Sequence, residues 1–400
     1  MPIPTPFHER TQALCTSYRW KDWAGYCAVC SFDTSHEREY FAFRESAGLL
    51  DVTPLYKYEV SGPDAAALLG RMMVRDVSKL KVGRVAYSCW CDDDGKVIDD
   101  GTVSRLEENH FRVTAADPTL HWLHAVGRGF DVTIEDSSAR LAALALQGPT
   151  SRAILCDATG GASSPVHSLK FFGVTRSAVA GIPVWISRTG YTGDLGYEVW
   201  VERDSALAVW DALMAAGQRH GIEPVGLDAL DVARIEAGFI LLGVDYFSSK
   251  KVVLESRKST PLELGFGWMI DLERGNFIGR DAIAAEMKRG SKWQLVGLEV
   301  SWEELEALYA GFNLPPSLPV TASREGLPVY GADGLQVGQA TSHTWSPILK
   351  KYLAIASVRP GSEAKGTHLQ IEHTVEYERR RVSATVAPLP FYDPERKRKP

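Results

Sequence analysis

Hydrophobic and polar positions along the chain follow two rhythms. Through Tyr56–Val60 the period is two, which predicts a strand. SGPD follows, then a helical run from Ala65, with Asp64 placed to accept from the first free amides of that helix. Val85–Trp90 and Lys96–Ser104 predict two strands joined by the turn CDDDG, and Phe111–Thr114 a third. Asp117 and Pro118 read as a cap and a first-turn proline for the helix PTLHWLHAV. A second pass of the same kind begins at LAALALQGP, a strand and turn, followed by the helix TSRAILCD. Pro183–Ser187 and Tyr197–Glu202 predict strands, and Asp204–His220 an amphipathic helix. Short alternation with antiparallel hairpins predicts α+β sandwiches and not a doubly wound sheet. After FIGRDAIAAEMKRG, near Gly290, only strand-like pieces follow, which predicts an all-β barrel or sandwich. GFNLPPSLP at 311–319 reads as a loop inside it.

Length changes this picture first: 400 residues exceed one ordinary core, so two or three domains are expected. A net charge of −6 argues against nucleic-acid binding. The basic run ERKRKP at the end reads as a solvated tail. No stretch approaches the ~18 uninterrupted apolar residues of a membrane span. The start, MPIPTPFHERT, lacks a basic region followed by an apolar one, so a cytoplasmic, reduced protein is expected. CAVC at 27–30 and CWC at 89–91 do not combine into a closed zinc site, because the second spacing belongs to a strand; no metal is expected. The Walker loop, GxGxxG and HExxH are all missing from the sequence.

Three stretches carry candidate chemistry. SRTGYTGDLGYEVW sets Gly190, Gly193 and Gly196 between two apolar runs, more glycine than a plain hairpin requires. Tyr191 and Glu198 flank this turn, and Glu198 shares a strand face with Trp200, opposite Tyr197 and Val199. A carboxylate there suits the paired N–H groups of a planar heterocycle. KVIDDGTV places Asp99 and Asp100 on opposite faces of a strand, so one acid faces an interior or a cleft. Tyr87, on the preceding strand, is placed to reach the inward acid. GLDALDVARIEAGF reads as an amphipathic helix with Asp228, Arg234 and Glu236 as surface charges. The Trp and Tyr residues of YRWKDWAGY offer stacking faces for a substrate as readily as packing.

These motifs, in order, resemble the aminomethyltransferase (T-protein) family of the glycine cleavage system. RTGYTGDLGYE, KVIDD, DVARIEAGF, TPLELGFGWMIDL, FIGRDAI, VGQATSHTWSPIL and PLPFY carry the likeness, with FAFRESAGLLDVTPL near the start. The family includes tetrahydrofolate-dependent O- and S-demethylases and the folate domains of sarcosine and dimethylglycine dehydrogenases. The resemblance implies a three-domain cloverleaf with folate in its central opening. It divides the chain into 1–47 plus 139–225, 48–138 plus 226–289, and a C-terminal barrel over 290–400. It implies Asp100 as the essential acid, with Tyr87, Tyr191, Glu198 and Thr114 on the cofactor. Leu230 stands where the family has an arginine, which leaves Arg234 for the folate tail. Changes around Leu55, Tyr56, Trp23 and Asp99 imply a remodelled donor side. The implied reaction moves a methylene or methyl group from a small amine or N-, O- or S-methyl donor to N5 of tetrahydrofolate. The implied partners are that donor and a lipoyl carrier or flavoprotein, without nucleic acid or membrane. Two alternatives stand beside it: a non-enzymatic folate protein of iron–sulfur assembly, whose motif cysteine corresponds to Gly190, and a folate subunit serving a flavin demethylase.

Overall fold

The computed structural model describes residues 1–399, and three large sheets each back a hydrophobic core. The first sheet has six strands, in the order Val174–Val179, Ile182–Ser187, Gly196–Glu202, Leu141–Gln147, Ala47–Asp51 and Ile222–Pro224. The second has five: Arg84–Cys91, Val97–Glu107, His110–Ala115, Tyr56–Ser61 and Thr133–Asp136. The third closes into a six-stranded barrel running from Gln294–Val300 round to Glu378–Ala387. This is the α+β architecture with a C-terminal barrel that the sequence predicts. The first two sheets interleave along the chain. Ala47–Asp51 lies in the first sheet and Tyr56–Ser61 in the second, so the expected crossing at 47/48 falls inside a strand and the chain passes over at Val52–Leu55. A small N-terminal sheet of three strands, including the hairpin Arg19–Trp23 and Tyr26–Ser31, was not foreseen. No helix among the described residues is long and apolar enough to cross a membrane.

Period-two alternation explains how one strand serves a core and a cleft. Tyr197, Val199 and Val201 enter the first core beside Leu144, Leu146 and Ile186. Each such side chain contributes roughly 1.5–3 kcal/mol on burial. Glu198 and Trp200 are left on the opposite face.

Several local expectations fail for identifiable reasons. Asp64 precedes its helix but does not cap it; its carboxylate accepts from the Asp131 amide of a neighbouring loop (2.9 Å). Asp117 pairs with Lys251 (2.7 Å), and the helix begins later, at Leu120, after Thr119. Helix Trp302–Ala310 interrupts the strand-rich last third. Its start was readable: the Ser301 hydroxyl accepts from the Glu304 amide (3.3 Å), the spacing of a capping box. The terminal basic run is not a solvated tail. Arg396 binds Asp194 through two nitrogens at 2.7 Å, and buried Arg188 donates to the carbonyls of Lys397 and Lys399; Pro400 lies outside the described residues.

The largest departure is helix Leu227–Glu236, where two of the three expected surface charges are interior, while Asp228 stays partly exposed and pairs with Arg19 (2.8 Å). Arg234 is 1% exposed and Glu236 0%. Glu236 joins three modules. One oxygen accepts from Tyr40 and from Ser346 of the barrel, both at 2.6 Å; the other accepts from Arg44 at 2.6 Å. Arg44 also donates to the Thr192 carbonyl (2.9 Å) and lies 3.8 Å from Asp194. Charges removed from water persist only when partnered, and here each has several partners. Arg44→Ala strands the buried Glu236 carboxylate, and a loss of roughly 3–5 kcal/mol is expected. A urea unfolding midpoint measures it; an unchanged midpoint would mean the modules are held together elsewhere.

Candidate active site

A cavity of about 1600 Å³ opens where the three modules meet. The first sheet contributes Glu198 and Trp200, the second Asp100 and Thr114, and the barrel side Leu295 and Arg324. Pro390 and Lys397 close it from the C-terminal segment.

Asp100 reaches the cavity because strand Val97–Glu107 turns alternate residues to opposite faces. Two phenols hold its carboxylate. Tyr87 donates to one oxygen (2.7 Å), as the strand geometry predicts, and Tyr246 donates to the other. Burial pushes the Asp100 carboxyl above the ordinary aspartate range, against the lowering effect of both phenols. Asp99, grouped with the donor side from the sequence, is placed elsewhere. It is fully buried outside the cavity lining and accepts from the amides of Asp100, Ala116 and Asp117 (2.8, 3.0 and 2.9 Å). Burial and the neighbouring Asp100 push it well up. Its position ties the start of the acid strand to the loop after Ala115.

Glu198 lines the same cavity. One oxygen accepts from the hydroxyls of Thr189 (2.8 Å) and Ser187 (3.4 Å). The other has no hydrogen-bond partner among the described residues, and burial raises the carboxyl. Tyr191 donates to the Ile240 carbonyl and stacks on Phe239, ring centroids 5.4 Å apart and planes 22° apart. A half-satisfied carboxylate beside an aromatic wall fits a flat heterocycle with N–H donors, such as reduced pteridine.

The three glycines of the turn have two different tasks. Gly193 sits at φ +77°, where other residues are strained. Gly190 and Gly196 instead close around the side chain of Gln147: a Cβ at either would lie 1.9 or 2.1 Å from its amide oxygen. Gln147 donates to the carbonyls of Thr189 and Tyr197 (3.1 and 3.2 Å) and so staples the turn.

Leu55, Tyr56 and Trp23 all line the cavity, as does Thr114, whose hydroxyl is shared with Thr102 (2.8 Å). Arg234 borders the cavity but is committed inward. It donates to Asp231 (2.8 Å), Asp245 (2.7 Å) and Ser342 (2.8 Å), and this pairing holds its charge fully protonated. Its expected service to a folate tail has no support in this geometry. The sequence reading missed Tyr246, Gln147 and Phe239. Only the aromatic pair in EAGFILLGVDYF offered a signal, and it lacks any periodicity. The cysteine pairs lie apart: Cys27 and Cys30 on the N-terminal hairpin, Cys89 and Cys91 in the second sheet. No cluster suited to a metal occurs among the described residues.

Comparison with known proteins places the chain among enzymes that transfer one-carbon units. More narrowly, it belongs to the glycine cleavage T-protein family: the GCVT N-terminal domain matches residues 7–274 and the glycine cleavage T-protein C-terminal barrel domain residues 309–393. An aminomethyltransferase of Geobacillus sp. (strain WCH70) is 33% identical over 377 residues, covering 93% of this chain and 94% of that protein. The Bacillus subtilis aminomethyltransferase is 33% identical, covering 90% and 91%. A trimethylamine-oxide aldolase of Ruegeria pomeroyi is 34% identical over 98% of this chain, which spans only 47% of that protein, about half its length. The crystal structure of glycine cleavage system aminomethyltransferase T from Bartonella henselae shares the fold, with TM-score 0.82, 24% identity, and coverage of 98% and 99%. The family is tetrahydrofolate-dependent in general.

Gly196→Ala forces the turn off Gln147, at an expected cost of about 1–3 kcal/mol. Adding Gln147→Ala should recover part of that loss in thermal unfolding; strict additivity would show that the two residues do not compete for one space.

Proposed function

We propose that the chain moves a one-carbon unit from a small methylated amine to N5 of tetrahydrofolate, with Asp100 as the catalytic residue. The observation that supports this most is the pair of cavity-facing carboxylates in unlike settings: Asp100 with a phenol on each oxygen, Glu198 with one oxygen unclaimed. Tetrahydrofolate supplies the nucleophilic ring nitrogen. Glu198 would accept from pterin N–H groups and so orient the ring, as a carboxylate does with paired donors. Tyr191 and Phe239 would supply the apolar wall for that ring, with Thr114 and Tyr87 lining the same cavity. Asp100 would stabilise positive charge as the carbon bonds to N5 and its bond to the donor nitrogen breaks, and would take the proton that N5 loses, the donor leaving as the free amine. Holding donor and acceptor together contributes up to about 7–11 kcal/mol.

On the donor side, the aromatic faces of Trp23 and Tyr56 beside Leu55 suit a methylated ammonium, which binds π-faces without needing a carboxylate. A flavoprotein partner delivering carbon at the oxidation level of formaldehyde is compatible with this lining. The aminomethyltransferase relatives of nearly equal length favour a second reading, in which a lipoyl carrier presents an aminomethyl group. Iron–sulfur assembly is disfavoured: a side chain at position 190 would collide with Gln147, so the cysteine of that motif has no room. A cytoplasmic location accords with this chemistry.

A donor screen with tetrahydrofolate, resolving 5-methyl from 5,10-methylene product by mass, tests the reaction. Asp100→Asn is expected to lower kcat by about 10²–10⁴-fold with cofactor affinity kept. Glu198→Ala is expected to weaken tetrahydrofolate binding by about 10–100-fold, the value of a hydrogen bond to a charged group. Full turnover in the first variant removes the catalytic assignment; full affinity in the second removes the pterin assignment.

The working form of Asp100 is the carboxylate, and burial raises its pKa. Activity should therefore disappear as pH falls through a value above the ~3.9 of a free aspartate. A pH–kcat profile locates that limb, and its persistence in the profile of a residually active Asp100→Asn enzyme would place the titrating group elsewhere.

A further inference from the structure

Tyr246 was invisible in the sequence, yet it carries half of the hold on Asp100. It is 1% exposed and packs in one cluster with Leu264, Phe266 and Ile355. Phe266 also meets Tyr87 edge-on, centroids 5.6 Å apart, so one apolar cluster braces both phenols. With a donor on each oxygen, the Asp100 carboxylate cannot rotate without losing both bonds. The groups that face it are Tyr87, Tyr246, Tyr191 and the neighbouring Asp99.

The residue before Tyr246 explains how that phenol is placed. One oxygen of Asp245 accepts from Arg234 (2.7 Å) and from the Leu241 amide (2.8 Å). The other accepts from Thr341 and Ser342 of the barrel, both at 2.6 Å. Arg234 also grips Ser342 (2.8 Å), and Arg324 completes the group on Asp231 (2.8 Å). Every member joins the helix Leu227–Glu236 or its following loop to the barrel.

We infer that Tyr246 is a positioning residue for Asp100, and that the Asp245–Arg234 pair, clamped to the barrel, sets Tyr246. Arg234 thus acts on the acid through two intermediaries and not on a ligand. The barrel, which supplies no reacting group, takes part in catalysis by fixing the angle of the carboxylate. The inference rests on the assignment of Asp100 made above.

Infrared difference titration, with Asp100→Asn identifying the band, follows protonation of this carboxyl in the free protein. Loss of a hydrogen bond to the charged form disfavours it, so Tyr246→Phe should titrate Asp100 at higher pH than the wild type. The acid limb of kcat should move the same way. At the pH optimum kcat should fall by about 10–100-fold while KM for tetrahydrofolate changes less than about 3-fold. Asp245→Asn should shift the band in the same direction by less. Site-specific 3-fluorotyrosine at 246, a stronger donor, should shift it the opposite way. Tyr40→Phe removes an equally buried phenol from Glu236 in the other junction and should leave the band in place. An unmoved Asp100 band in Tyr246→Phe, or an equal shift in Tyr40→Phe, overturns the inference. The infrared measurement uses no cofactor, so a wild type that fails to bind tetrahydrofolate would refute the functional reading without touching this one.

Discussion

Arg44 and Glu236 are both shut off from water, and neither tolerates that state alone. Their pairing decides how the modules sit. Glu236 takes its donors from helix Glu37–Glu45 and from the barrel, while Arg44 turns its remaining nitrogen to the glycine-rich turn. The observed arrangement of the three modules satisfies all of these groups together. The central cavity is the space which that arrangement leaves. A purely apolar junction of the same area would hold the modules as firmly but would let them slide, because apolar contact is not directional. Fixed donors and acceptors supply the register that a site built from three modules requires.

The same logic separates the two cavity acids. Both are half-buried and both are raised by desolvation, yet they differ in what their oxygens have left to offer. Asp100 has a phenol on each oxygen and keeps a fixed plane, a preorganised charge that costs no rearrangement when a cation develops beside it. Glu198 keeps an oxygen without a protein partner, which suits recognition of a ligand and not proton handling. Asp99, next in sequence to Asp100, belongs to neither class. Its three backbone donors make it part of the scaffold.

Much of this was legible in the sequence. Period-two runs placed the strands, the turn CDDDG at 91–95 joined two of them, and the change of character near Gly290 marked the barrel. Alternation alone put Glu198 and Trp200 on one face and pointed Tyr87 at an acid of the next strand. What escaped has a common cause. Arg234 and Glu236 look like surface charges because local pattern cannot reveal a partner about 100 residues away. Arg396 looked solvated for the same reason, since Asp194 is its partner. Tyr246 lies in an irregular loop where no periodicity speaks. The glycines misled in part: three in a turn suggested a ligand, but two of them make room for Gln147.

The proposed chemistry requires a reduced pteridine lying between two acids. The most direct measurement is a crystal structure of the chain with 5-formyltetrahydrofolate. The ring should lie in the central cavity, its N–H edge on Glu198 and its N5 side toward Asp100. A ligand bound in the separate cavity of about 850 Å³ beside Arg112 and Trp185, or a ring in the central cavity with neither carboxylate in contact, would contradict it.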